Sequence, residues 1–61
     1  MKQKEFYRLL EDATEVRMDP SGRRFLVRLP LLGWRAYRLE GEEVSLEAEG
    51  EEALARFGEA A

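Results

Sequence analysis

The side chains able to do chemistry in this chain are few in kind. There are 13 carboxylates and 10 Lys and Arg residues, but no Cys and no His. Nucleophilic catalysis needs a Ser, Cys, Thr or Lys activated by a neighbouring base. Ser21 lies in a turn-forming stretch, Ser45 lies among glutamates, and no His exists to serve either. Without Cys or His the best zinc ligands are missing. Paired carboxylates can do acid–base work, and Glu42-Glu43, Glu47/Glu49 and Glu51-Glu52 are such pairs. All of them fall in a densely acidic, solvated part of the chain. The glycines stand singly at 22, 33, 41, 50 and 58, which makes no phosphate-cradling loop. No catalytic residue, metal site or cofactor is expected, and an enzyme is not indicated.

One constellation remains. If the middle segments are strands, alternation puts Arg24, Leu26, Arg28, Trp34 and Arg38 on one sheet face. Arginines interleaved with a large aromatic suit three uses. They can hold phosphates and stack bases of a nucleic acid. They can anchor a protein interface, where Trp and Arg are enriched. Or they can form a solvated face with Trp34 flat beneath an arginine. The second candidate surface is Leu31-Leu32, two adjacent leucines in the connector Pro30-Leu31-Leu32-Gly33. They either tuck under a helix or form a subunit contact.

Charge is partitioned along the chain. From Arg17 to Leu39 the charges are Arg17, Arg23, Arg24, Arg28, Arg35 and Arg38 against Asp19 alone. From Glu40 onward eight glutamates face only Arg56. The net charge of −3 argues mildly against a nucleic-acid partner. The simplest reading is internal neutralisation, with the acidic part lying beside the basic strands. The alternative is a basic face for a polyanion and an acidic face for another partner.

The elements that position these residues follow from periodicity. Phe6, Leu9, Leu10 and Ala13 recur at helical spacing within 2–13. Thr14 to Met18 and Phe25 to Leu29 alternate as strands around Asp19-Pro20-Ser21-Gly22. A two-residue Ser21-Gly22 loop would set Met18 opposite Phe25 and Val16 opposite Val27. It would also set Asp19 against Arg24 and Glu15 against Arg28, opposite charges both times. Asp-Pro-Ser-Gly also suits a type I turn with Gly in the left-handed region, usually with a bulge that shifts register by one. The register that keeps Val16, Met18, Phe25 and Val27 on one side is favoured, since a slip exposes them all; the loop type stays open. Strands from Trp34 to Leu39 and Glu43 to Glu49 follow, joined at Gly41, and a short helix after Gly50 carries Leu54 and Phe57, with Gly58 fraying or capping its end.

A chain of 61 residues is one domain with a marginal core. With disulfides and zinc excluded, a well-packed single core or self-association remains, and self-association is the favoured option. No apolar run approaches the roughly 20 residues of a membrane span, and no apolar segment follows the first lysines as in a secretory signal. A cytoplasmic protein is expected. The excess of Arg over Lys and the lack of Asn and Ile point to a high-GC, thermophilic source.

The run Val27-Arg28-Leu29-Pro30-Leu31-Leu32-Gly33-Trp34, with Gly50-Glu51-Glu52-Ala53-Leu54 later, resembles the small HicB-like antitoxin family. The resemblance covers about a third of the chain, with Leu32 where a second Pro is expected. It implies a three-stranded sheet plus helix, toxin neutralisation and oligomer formation, in some members with DNA binding through an appended domain.

The expected fold is α+β: an N-terminal helix, a four-stranded antiparallel meander sheet and a short C-terminal helix, both helices packed on one sheet face. The other candidate is a small, strongly bent half-barrel. The inward face is expected to carry Val16, Phe25, Val27, Tyr37, Leu39, Val44 and Leu46. The expected function is a non-enzymatic interaction module, a homo-oligomer or partner of another protein. Its binding residues are Arg24, Arg28, Leu31, Leu32, Trp34 and Arg38. Nucleic-acid binding through the basic, aromatic sheet face is the alternative, and no membrane association is expected.

Overall fold

The computed structural model describes residues 1–60, with side chains through residue 58. Its order is α1 (Gln3–Asp12), β1 (Glu15–Met18), β2 (Arg24–Leu29), β3 (Gly33–Glu40), β4 (Glu43–Glu49) and α2 (Glu51–Ala60). The strands form one antiparallel sheet in the order β1-β2-β3-β4, the meander expected from the periodicity. Among the described residues no helix is long and apolar enough to cross a membrane. The sheet has one strand more than the HicB-like resemblance implies, and α1 stands before it.

The first hairpin reconciles two sequence signals that seemed to compete. Met18 faces Phe25, Val16 faces Val27 and Glu15 faces Arg28, the favoured register. The turn is nonetheless closed by Gly22 N–H donating to Asp19 C=O at 3.0 Å, with Gly22 at φ +75°. The left-handed glycine that Asp-Pro-Ser-Gly calls for is therefore present without a register slip. Asp19 N–H also donates to Arg24 C=O, which starts the ladder. The buried Asp19 side chain holds the turn from inside: its Oδ1 accepts from Ser21 Oγ at 2.7 Å and from Arg24 N–H at 3.3 Å. These donors, Ser21 first, favour the ionised form and lower the carboxyl's pKa against the opposing effect of burial.

The helices do not share a sheet face. On one side Phe6 of α1 packs with Phe25, Val27, Leu29, Tyr37 and Val44. Phe6 meets Phe25 and Tyr37 with ring centroids 5.1 Å away in each case. On the other side Ala53 of α2 packs with Leu26, Ala36 and Ala48, flanked by Trp34 and Phe57. Phe25 and Leu26 are neighbours in one strand and so point to opposite faces. The domain is a helix–sheet–helix sandwich with two small cores, and the expectation of both helices on one face is corrected.

A β-bulge makes this arrangement consistent. Leu39 pairs with Val44 and Tyr37 with Leu46, but Ala36 pairs with Ala48, so Glu47 is an extra residue in β4. Val44 and Leu46 thus face α1, while Ala48 faces α2. Straight alternation would have put Ala48 beside Val44. The helix α2 also continues through Gly58 rather than stopping there.

The cover over the α1 face is incomplete. Val16, Met18 and Leu46, expected inside, are 44%, 61% and 45% exposed. The outer edge of β4 is closed by the chain itself: Val44 N–H donates to Met1 C=O at 2.7 Å and Gln3 N–H to Glu42 C=O at 2.9 Å. Lys2 Nζ adds a 2.6 Å ion pair with Glu43, which raises the Lys2 pKa and lowers that of Glu43. The outer edge of β1 has no such cover among the described residues.

Candidate functional site

The open basic face expected from the sequence is roofed by α2. Leu26, placed on that face, is buried, and α2 lies across β2, β3 and β4. Arg24 is drawn under this roof. Its Nε donates to Glu47 Oε1 at 3.2 Å, and its Nη2 reaches the Arg56 carbonyl of α2 at 3.5 Å. Trp34 is half-buried against the α2 core. Arg28 lies over its ring, the guanidinium carbon 5.7 Å from the centroid, in the cation–π stack that Trp beneath an arginine allows. Arg38 is exposed and sits 3.5 Å from Glu40. These four residues line the margins of a covered face and do not make one open platform.

Charge neutralisation inside the domain is extensive. Arg24–Glu47 and Arg35–Glu49 join the basic strands to the acidic strand β4. Arg35 points to the α1 side, where its Nη1 also donates to the Tyr37 hydroxyl at 3.3 Å. That hydrogen bond is the leading reason its pKa is raised, ahead of Glu49.

Leu31 and Leu32 behave differently. Leu31 is 97% exposed and Leu32 59%, so neither tucks under α1. With Leu9, Asp12, Leu29 and Pro30 they line an open groove of about 550 Å³, mostly apolar. Pro30 ends β2 and Gly33, at φ +76°, starts β3, so the leucines sit on a short connection held by a strand at each end. Leu9, Asp12, Leu29 and Pro30 are the contributors that the sequence does not single out. Leu9 was legible only as part of a helical apolar stripe. Nothing local in the sequence announces that this stripe meets a connector twenty residues on.

The chemistry available at this groove is burial of apolar surface, with the Asp12 carboxylate on its rim. Comparison of the chain with protein families, with curated proteins and with solved structures found no match.

Proposed function

We propose that this protein is a non-enzymatic interaction module that associates with itself. The observation that carries the reading is the groove of Leu9, Pro30, Leu31 and Leu32, with two adjacent leucines presented to water. Fully burying a leucine side chain is worth about 1.5–3 kcal/mol, and clustered exposed apolar residues mark contact surfaces. A domain whose interior is split into two small cores has much to gain from such a contact. The toxin-neutralising role implied by the family resemblance is a special case, in which a toxin occupies the groove. Nucleic-acid binding is the weaker reading, because α2 occupies the sheet face that it needs.

Sedimentation velocity from low micromolar to millimolar protein tests the proposal. The expected result is concentration-dependent association that weakens in the double variant Leu31→Asp/Leu32→Asp. A wild-type chain that stays monomeric throughout overturns self-association.

A further inference from the structure

The sheet has two edges, and the described residues close one of them. Met1–Gln3 pairs along β4, whereas β1 has no backbone partner on its outer side among the described residues. Unpaired strand edges are templates for pairing with another chain. In an antiparallel ladder residues alternate between bonding inward and outward. Asp19 bonds inward to Arg24 C=O, so Arg17 and Glu15 also bond inward. The amide and carbonyl of Val16 and Met18 are then the groups aimed outward.

We infer that β1 is the dimer seam: it pairs antiparallel with β1 of a second copy, centred on Val16, joining four strands from each into one continuous sheet. This rests on the self-association proposed above and names its geometry. Two registers bring the outward groups of Val16 and Met18 against a second β1, although the first leaves the Met18 carbonyl facing Thr14, whose N–H is already given to the Arg28 carbonyl. The first, centred on Val16, sets Val16 against the partner's Val16 and Glu15 against the partner's Arg17, twice by symmetry. The second, centred on Arg17, sets Arg17 against the partner's Arg17 and Glu15 against the partner's Asp19. Like charges directly opposite are destabilising and unlike charges favourable, so charge selects the first. Within one copy Glu15 and Arg17 already lie on the same sheet face, 2.6 Å apart; pairing would draw the four side chains into a ring of alternating sign.

The apolar side agrees. Val16 and Met18 are exposed on the α1 face. In the chosen register Met18 lands opposite the partner's Thr14. Thr14 is tied to β2 through its N–H and the Arg28 carbonyl at 2.8 Å, beside Leu29 of the groove. The seam therefore carries Met18 toward the end of the partner's β2 from which the groove begins.

Three variants test the seam by sedimentation velocity, with far-UV circular dichroism as a control for folding. Val16→Pro removes an outward donor and no bond to β2, so it is expected to give a folded monomer. Glu15→Arg alone and Arg17→Glu alone each place like charges across the seam, and each is expected to weaken the dimer by about tenfold. Mixing those two variants restores opposite charges at every position, and heterodimer is expected to form. Wild-type dimer with no loss in Glu15→Arg and no gain on mixing overturns this register. Wild-type dimer with dimeric, folded Val16→Pro overturns β1 as the seam and leaves self-association standing. A monomeric wild type overturns both.

Discussion

Arg24 and Glu47 are the best-shielded ion pair among the described residues, with Nε and Oε1 3.2 Å apart and side chains only 21% and 18% exposed. Glu47 reaches this position because it is the extra residue of the β4 bulge. The pair and the bulge are thus one feature. It fixes where α2 can sit, since Arg24 also donates to the Arg56 carbonyl of that helix.

Glu47→Ala leaves Arg24 without its carboxylate beneath α2. The pair is intermediate between a solvated and a fully buried one, so the expected loss is about 1–3 kcal/mol. Urea unfolding should show a lower midpoint. Glu47→Gln, which keeps an acceptor, should lose less.

Ala53 is fully buried against Leu26, Ala36 and Ala48. Three of these four side chains are alanines, so α2 lies close on the sheet. Ala53→Leu has no space to enter and is expected to destabilise by about 1–3 kcal/mol through overpacking. Thermal unfolding monitored by Trp34 fluorescence, which reports the same core, is the measurement.

Asp19 gives the fold an acid limit. Its pKa is lowered in the folded state, chiefly by the Ser21 hydroxyl. Its contribution is complete above the unfolded aspartate value of about 4 and is lost as pH falls through the lower folded value. Asp19→Asn removes that dependence. The difference in denaturation midpoint between wild type and variant should be largest near neutral pH and shrink as pH falls below the ordinary aspartate value of about 4.

Leu31→Asp separates binding from folding. A side chain 97% exposed has almost no contacts to lose. Stability of the monomer is expected to stay within about 0.5 kcal/mol of wild type, while association weakens. Chemical denaturation at low concentration checks the first, and sedimentation at high concentration the second.

The β1–β2 register was legible because the apolar pairs and the opposite charges agreed and outweighed the turn residues, which alone favour a register one residue away. The meander followed from turn residues at 22, 33 and 41. The side chosen by α2 was not legible. Val44, Leu46 and Ala48 read as an unbroken alternation, and a bulge at Glu47 leaves no local mark in such a run. Once Ala48 turns over, a helix beginning at Glu51 has an apolar seat on the far face, and Leu26 and Ala36 complete it. Ala53 carried little signal because a buried alanine looks like any helix former. The same oversight made Arg24, Arg28, Trp34 and Arg38 look like an open platform. Leu31 and Leu32 stand out in the sequence as adjacent leucines in a connector, but the groove needs Leu9 brought to them by tertiary folding.

The clasp of Met1 on Val44 spans 43 residues of chain. Every strand pair in the meander joins neighbours in sequence and closes a short loop, so the hairpins can zip up locally. The clasp closes a far longer loop, as does the packing of Phe6 on Tyr37 and Val44, and closing a longer loop costs more chain entropy. The clasp is therefore expected to assemble late and to let go early. Hydrogen exchange at the Val44 amide would time that release, ahead of the amides that join β2 to β3.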